Sequence, residues 1–506
     1  MNPVPHPRDI IDRRAIQAKL EALTETASGT PARKDVSAVL KEALVSGRAV
    51  VQKRFEAGAS GTETTHALAF LMDQIIRALY DFTQTRIYPA PNPTSGEQMA
   101  LIAVGGYGRG ELAPYSDIDL LFLLPYKATP HIEQVVEYVL YALWDLGLKV
   151  GQATRSIDET ITAAKADLST RTAILEARYI WGEQKLYDDL KKAFEAKIAK
   201  GTAAEFVRDK LAERNERHRR LGDSRYLVEP NVKEGKGALR DLHTLFWIAK
   251  YIYRVDDVAA LVDLKVLSAK EAQRFARAQD FLWTVRCYLH FLSGRAEDRL
   301  TFEYQAEIAR RMGYTDHAGT RGVERFMKHY FLIAKDVGDL TRIFCALLES
   351  EQTKEPLLTW KRWRGREKKL EGFKVAQGRI DVDKDNTFRD DPVNLIRMFH
   401  LAEEHGLDIH PHALRLITQS LKLIDNDLRA NPEANRLFME ILTSRKDPEV
   451  ALRRMNEAGV FGRFVPDFGR VVAQMQFDMY HIYTVDEHTL FAIGLLARIE
   501  KGEFKD

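Results

Sequence analysis

Two aspartates are the residues best suited to chemistry in this sequence. Asp117 and Asp119 lie two positions apart at the head of the apolar run Ile118 to Leu124, so a strand there directs both carboxylates to one face. Two neighbouring carboxylates repel each other unless a cation lies between them, and Mg²⁺ binds carboxylate and phosphate oxygens in octahedral geometry. The pair therefore predicts a magnesium site that a nucleoside triphosphate completes.

A glycine loop precedes the two aspartates. Gly105 and Gly106 follow a predicted strand directly, and their lack of Cβ atoms allows backbone N–H groups to approach phosphate oxygens. We expect Arg109 to offset triphosphate charge and Ser116 to belong to the same nucleotide-binding stretch. An isolated Asp-x-Asp usually only caps a turn. The order strand, Gly-Gly, short helix, Ser-Asp-x-Asp and strand favours the catalytic interpretation.

A third acidic ligand is not evident from the sequence. The predicted strand from Leu148 to Thr154 contains no carboxylate. Asp158, Asp167 and Glu176 are the nearby acidic residues along the chain, and the sequence favours none of them.

These motifs resemble the polymerase-β-type nucleotidyltransferase superfamily and, within it, the bifunctional PII-protein uridylyltransferase/uridylyl-removing enzymes. The matching segments are Gly105 to Leu112, Ser116 to Leu121, Glu229 to His243, Leu289 to Leu300 and Tyr480 to Thr489. The resemblance extends from about Val39 to the last residue, with one departure at Ala238, where we expect the family to have glycine.

The resemblance implies a reaction and its components. UMP would pass from UTP to a tyrosine of the nitrogen-signalling protein PII, with release of pyrophosphate. Asp117 and Asp119 would be the catalytic residues and the ligands of Mg²⁺, with Mn²⁺ as the alternative cation. Glutamine would act as an effector only in a full-length form. The rival interpretations are a glutamine-synthetase-type adenylyltransferase and a non-catalytic, nucleotide-sensing regulatory subunit.

A second glycine-rich stretch leaves two interpretations open. Lys233 and Arg240 could contact phosphates, since Gly235 and Gly237 allow close backbone approach before a helix begins. Arg240 and Asp241 could equally form a structural ion pair at the start of that helix.

Two further groups of polar residues follow. His290, Arg295 and Asp298 favour a buried hydrogen-bond cluster over direct substrate contact. The resemblance implies that His488 is the first metal ligand of an HD phosphohydrolase domain, but no His-Asp dipeptide follows before Asp506. We therefore expect that truncation removes the uridylyl-removing half. We also expect the last helix to expose apolar side chains at Leu490, Phe491, Ile493, Leu495 and Leu496.

The bulk composition excludes several classes of protein. Lys and Arg number 75 against 73 Asp and Glu, so the net charge of +2 indicates neither nucleic-acid nor membrane binding. Cys287 and Cys345 lie in apolar helical patterns and predict reduced thiols in a cytoplasmic protein. The stretch from Met1 to Lys19 is polar and has no apolar core of signal-peptide length, and no apolar run in the given sequence reaches about 18 residues. The basic run Trp360 to Lys369 is interpreted as a solvated linker.

The hydrophobic periodicity predicts an α+β protein. The resemblance implies that a small mixed-sheet nucleotidyltransferase domain precedes a largely helical region and a partial all-α HD domain. The predicted boundaries are N-terminal helices at 1–86, nucleotidyltransferase domain at 87–200, helical substrate-binding domain at 201–355, linker and hairpin at 356–391, helical segment at 392–475 and start of the HD domain at 476–506. The predicted strands are Met99 to Val104, Ile118 to Leu124 and Leu148 to Thr154, with helix at Ile132 to Leu146, helix again through Tyr179 and a hairpin at Phe373 to Val382.

Overall fold

The computed structural model describes residues 4–26, 31–90, 94–222, 224–317, 319–352, 368–376, 378–477 and 482–503. The chain forms two compact units, each assembled from three segments. The first unit comprises Met1–Arg217, Phe246–Ala260 and Gln279–Arg299, and the second comprises His218–Leu245, Leu261–Ala278 and Leu300–Asp506. The predicted α+β class is confirmed. The domain boundaries expected from the sequence stay a prediction.

The elements up to residue 293 include the sheet that carries the aspartate pair. They are α1 (Pro7–Ile10), α2 (Arg13–Thr26), α3 (Arg33–Glu56), α4 (Gly61–Phe82), β1 (Ala100–Ala103), α5 (Gly105–Gly108), β2 (Ile118–Leu124), α6 (Pro130–Asp145), β3 (Val150–Ser156), α7 (Ile157–Ala166), α8 (Leu168–Leu175), β4 (Arg178–Gly182), α9 (Gln184–Phe194), α10 (Ala203–Arg220), α11 (Leu239–Tyr253), α12 (Ala259–Asp263) and α13 (Ala269–Ser293). Short π-helical turns lie at Thr83–Ile87 and Glu195–Ala199, and a 3₁₀ turn at Ser95–Glu97.

The first sheet is mixed, with the strand order β3-β2-β1-β4. Strand β2 pairs in parallel with β3, while β1 pairs antiparallel with both β2 and β4. Almost every residue of β2 is buried, as expected for an inner strand whose sequence is a near-continuous apolar run. The predicted strand Ile118 to Leu124 is confirmed at both ends.

Helices α3 and α4 share one hydrophobic core with this sheet. The core joins side chains such as Leu40 and Ile75 from the helices with Leu101 and Phe122 from the strands. Ser60 begins α4 as its N-cap, because its side chain accepts the N–H of the residue three positions later. The N-terminal helices therefore pack on this sheet.

One predicted helix is wrong at its end. The sequence reading continued helix through Tyr179, but α8 ends at Leu175 and Arg178–Gly182 forms the edge strand β4. Tyr179 pairs antiparallel with Ile102 of β1. The local period of apolar residues favours a helix, but hydrogen bonding to a strand almost 80 positions earlier in the chain outweighs it, so this segment forms a strand.

The elements after residue 300 belong to the second unit. They are α14 (Phe302–Arg311), α15 (Gly322–Gln352), β5 (Lys368–Leu370), β6 (Phe373–Ala376), β7 (Arg379–Val382), α16 (Thr387–Asp390), α17 (Asn394–Glu404), β8 (Asp408–Ile409), α18 (Pro411–Ser420), α19 (Asn426–Ala430), α20 (Pro432–Leu442), α21 (Pro448–Glu457), α22 (Phe461–Phe464), α23 (Pro466–Val471) and α24 (Val485–Glu500), with a 3₁₀ turn at Leu421–Leu423. The predicted hairpin at Phe373 to Val382 is confirmed as β6 and β7. Strands β5 and β8 extend it to a four-stranded sheet.

Three predictions about the chain as a whole can be compared with these elements. Cys287 is a buried free thiol, and the side chain of Cys345 is half-buried. No helix among the described residues is both long and apolar enough to cross a membrane. Most of the basic run Trp360 to Lys369 lies outside the described residues.

Candidate nucleotide-binding site

Asp119 lies between two glycines on neighbouring elements. It is the second residue of β2 and pairs across the parallel ladder with Gly151 of β3. A Cβ atom on Gly151 would lie 2.2 Å from Oδ1 of Asp119, and one on Gly105 would lie 3.1 Å from Oδ2. Gly105 also has a φ of +60°, a conformation that favours glycine. The two glycines therefore leave the space that the Asp119 carboxylate occupies.

Asp117 lies in the turn immediately before β2. Its side chain is exposed, whereas Asp119 is half-buried. Because β2 begins at Ile118, strand alternation applies to Asp119 but not strictly to Asp117. Both side chains end in hard oxygen donors, which is the ligand chemistry that a divalent cation prefers. The donor chemistry therefore fits a divalent cation, and ligation by Asp117 and Asp119 stays a prediction.

The side chain of Tyr107 anchors the glycine loop. The hydroxyl of this fully buried side chain donates to Oδ1 of Asp73 on α4 at 2.6 Å. Arg178 of β4 donates to Oδ2 of Asp73 at 2.7 Å and to the backbone carbonyl of Tyr107 at 3.2 Å. Burial and the Asp73 charge raise the pKa of Tyr107 well above its ordinary value, so its hydroxyl remains a donor. Helix α4 and strand β4 thereby hold the loop in one position.

Arg109 anchors the same loop from its other end. Its Nε donates to Glu111 at 2.8 Å, and its Nη1 donates to both carboxylate oxygens of Glu176 at 2.8 and 2.7 Å. Burial alone would lower the pKa of Arg109, but the charges of Glu176 and Glu111 outweigh it and leave the pKa raised. The Nη2 atom lies 3.5 Å from where a Cβ on Gly106 would be. Phosphate binding by Arg109 stays a prediction, and the structure adds an anchoring role.

The candidate third carboxylates are all engaged elsewhere. Glu176 is buried against Arg109, and burial raises its pKa despite that cation. Asp158 is exposed and pairs with Lys197 at 3.0 Å. Asp167 caps the N-terminus of α8. Within the described ranges, no group of three or more His, Cys, Asp and Glu side chains is arranged to hold a metal ion.

The predicted buried cluster around His290 is confirmed for two of its three members. Nε2 of the fully buried His290 lies 3.3 Å from Oδ1 of Asp298. Arg295 instead is exposed and pairs with Glu297 at 2.8 Å. The sequence reading missed Arg286, which donates to Asp298 at 2.7 Å. Arg286 lies four residues before His290 on α13, a spacing that places both side chains on one face of the helix, so the sequence could have indicated this residue.

The second glycine-rich stretch lies in the second unit, where Arg240 and Asp241 contact different partners. Arg240 pairs with Glu234 at 2.8 Å rather than with its neighbour Asp241. Asp241 accepts the N–H of Gly237 at 2.8 Å and contacts Nε2 of His218 at 2.9 Å. The suggested Arg240–Asp241 pair is therefore wrong, because the helix start directs the aspartate back onto the loop.

Lys233 belongs to a tight turn in the same stretch. The side-chain oxygen of Asn231 accepts the N–H groups of Lys233 and Glu234 at 3.0 and 2.7 Å. Ala238, where glycine was expected, is fully buried. Phosphate contacts by Lys233 and Arg240 stay predictions.

His488 is exposed on α24, and its role as a metal ligand stays a prediction. The apolar surface expected around it is present only in part. Leu490 is fully buried in the core of the second unit, contrary to the expectation. Leu495 and Leu496 are exposed by 43% and 65%.

Three family descriptions match successive parts of the chain. "Nucleotidyltransferase domain" covers residues 96–180, "GlnD PII-uridylyltransferase" covers 205–345 and "Uridylyltransferase GlnD third domain" covers 373–464. A bifunctional uridylyltransferase/uridylyl-removing enzyme of Azospirillum brasilense is 60% identical over 506 residues, and one of Rhodospirillum rubrum is 59% identical over 502 residues. Each alignment covers 99% of this chain and 54% of the relative. The chain spans about half the length of the curated relatives it matches.

Proposed function

The chain belongs to the PII-uridylyltransferase family, and from that premise we propose that it transfers UMP from UTP to a tyrosine of PII. The phenolic oxygen of that tyrosine forms a bond to the α-phosphorus of UTP. The bond between this phosphorus and the oxygen that bridges it to the β-phosphorus breaks, and pyrophosphate leaves. The phenolic proton passes to solvent.

The single observation that carries this proposal is the space around Asp119. Gly105 and Gly151 leave room for its carboxylate, and exposed Asp117 lies two residues away. Members of the nucleotidyltransferase family generally depend on a divalent metal. Mg²⁺, with Mn²⁺ as the alternative, would polarise the α-phosphate and lower the pKa of the phenol when bound. Asp117 and Asp119 would hold it.

The remaining residues position the triphosphate. Gly105 and Gly106 allow backbone N–H groups to approach phosphate oxygens. Nη2 of Arg109 is the guanidinium nitrogen next to Gly106 and would reach the same phosphates. Lys233 and Arg240 are proposed as further phosphate contacts. No protein nucleophile is required, because positioning and charge neutralisation supply most of the barrier reduction.

The test compares nucleotides and acceptors in one assay. The purified chain is incubated with Mg²⁺, PII and either UTP or ATP, and pyrophosphate release is followed beside isothermal titration of each nucleotide. We expect release only with UTP and PII together. Transfer from ATP to glutamine synthetase would indicate the adenylyltransferase instead. Nucleotide binding with no release under any combination would indicate a regulatory subunit.

A further inference from the structure

The turn that carries Asp117 is held by helix α13. The backbone N–H of Tyr115 donates to Nδ1 of His290 at 3.3 Å. Nη2 of Arg286 lies 3.5 Å from Oγ of Ser116. His290 is 0% exposed and Arg286 only 5% exposed, so both contacts reach the turn from inside the first unit. Two buried side chains thus contact the two residues that precede Asp117.

Asp298 holds these two side chains together. Its Oδ1 atom accepts Nε–H of Arg286 at 2.7 Å and lies 3.3 Å from Nε2 of His290. Burial would raise the pKa of Asp298, but His290 and Arg286 outweigh burial and lower it, so this carboxylate stays charged. Because Nδ1 of His290 accepts the Tyr115 N–H, the hydrogen-bond pattern assigns the ring proton to Nε2. Each group in the cluster therefore faces a complementary partner.

We propose that His290 and Arg286 are positioning residues for the cation site, joined through Asp298. They fix the backbone of the turn, and the turn fixes the direction in which Asp117 presents its carboxylate. An exposed carboxylate on an unrestrained turn would lose conformational entropy on binding a cation, and buried anchors reduce that loss. The inference rests on the proposed transfer at Asp117 and Asp119.

Two substitutions of His290 separate its two contacts. His290→Asn places an amide oxygen near the position of Nδ1 and keeps an acceptor for the Tyr115 N–H. His290→Gln places an amide group near Nε2, which keeps a donor for Asp298 and removes that acceptor. Partners behind metal ligands typically change metal affinity about 10- to 100-fold. We expect His290→Gln to weaken Mn²⁺ binding in the presence of UTP by about tenfold or more, and His290→Asn to weaken it less.

Mn²⁺ binding is measured by electron paramagnetic resonance, with thermal unfolding to confirm the fold. His329, an exposed histidine that is hydrogen-bonded to Tyr314 in the second unit, supplies the control variant His329→Gln, which should bind Mn²⁺ like the wild type. Arg286→Lys is the second test variant, because it keeps the positive charge beside Asp298 and removes the planar guanidinium group that contacts the turn. Mn²⁺ affinity within about twofold of wild type in folded His290→Gln or folded Arg286→Lys would overturn the inference.

Amide hydrogen exchange in the wild-type protein gives a test that needs no variant. The Tyr115 amide should exchange its hydrogen slowly, and exchange as fast as in an open loop would also overturn the inference. The outcome for Asp117→Asn distinguishes the two proposals. If that variant transfers UMP normally, the proposed function itself fails. If it is inactive while both anchor variants bind Mn²⁺ normally, only the positioning role fails.

Discussion

At the residue scale, the substitutions Asp117→Asn and Asp119→Asn test the catalytic role of each carboxylate separately from any effect on folding. We expect each Asn variant to lower pyrophosphate release by more than about a hundredfold, because the cation loses a charged ligand. The fold should persist, since removing one of two nearby negative charges relieves repulsion in the metal-free protein. Release and the thermal midpoint are measured on the same samples. Transfer within about tenfold of wild type in either variant would contradict the assignment.

Gly151 offers a test of the space around Asp119. The Cβ of Gly151→Ala would meet Oδ1 of Asp119 at 2.2 Å, so that side chain must rotate away. A displacement of about 1 Å can cost about a hundredfold in rate, and we expect a loss of roughly ten- to a hundredfold in UMP transfer. Gly96→Ala is the matched control, because its Cβ would lie 3.6 Å from Oγ1 of Thr94 in ordinary contact. Equal steady-state rates for the two variants would contradict this prediction.

The sequence singled out Asp117, Asp119 and Gly105 as candidate site residues but not Gly151. The first three belong to one short motif whose spacing is visible along the chain. Gly151 lies opposite Asp119 because of the register in which β2 pairs with β3. A helix separates these two strands along the chain, so the spacing of residues in the sequence does not predict that register. The same limit applies to Glu176, one of three nearby acidic residues among which the sequence favoured none as a third ligand, and which the structure places against the Arg109 guanidinium.

At the element scale, Arg109 joins the glycine loop to the segment between α8 and β4. Arg109→Ala would leave Glu111 and Glu176 buried without their cation, a change that typically costs about 3–5 kcal/mol. We expect a clear fall in the free energy of unfolding, measured by urea denaturation. Arg310→Ala is the control, because that solvent-exposed pair with Glu307 should contribute little to the free energy of unfolding.

The outcome of that comparison also distinguishes two roles for Arg109. If Arg109→Ala unfolds like wild type and binds UTP weakly, phosphate binding is its main function and the anchoring role is wrong. If it is unstable and its residual folded fraction binds UTP normally, the residue only anchors the loop. Loss of both properties indicates that one guanidinium serves both.

Elements with their own periodicity were predicted well, and elements defined by distant partners were not. The β2 strand and the β6–β7 hairpin have apolar and turn patterns of their own and were confirmed. Strand β8 contains two residues, Asp408 and Ile409, and exists because it pairs with β7. A pattern of two residues has no period, so only the folded sheet defines such a strand.

At the scale of the whole molecule, acid should weaken the second unit through Glu457. Its carboxylate lies 3.4 Å from Arg225 and 3.8 Å from Arg342. Burial would raise the pKa of Glu457, but Arg225, Lys236 and Arg342 outweigh burial and lower it to about 2. The folded pKa is thus below the ordinary value of 4.5. The stabilisation is present above that value and is lost as the pH falls from about 4.5 towards 2.

Glu457→Gln tests this dependence. We expect the variant to be less stable than wild type at pH 7 by at most roughly 3 kcal/mol, since a quarter of the Glu457 side chain is exposed. The difference should shrink steadily between pH 5 and pH 3. Urea denaturation of both proteins at each pH gives the difference directly, and a constant difference across that range would contradict the prediction.

The division of each unit into three segments has a consequence for the order of events on the ribosome. The first unit needs Gln279–Arg299, which follows Arg217, the end of its long first segment, by a stretch of the second unit. At about 5–20 residues per second, the nascent chain needs roughly 4 to 16 seconds to extend from Arg217 to Arg299. For most of that interval the turn before Asp117 has been synthesised, but His290 has not. The segment that carries Asp117 therefore emerges early and can acquire its proposed support only after His290 has been synthesised.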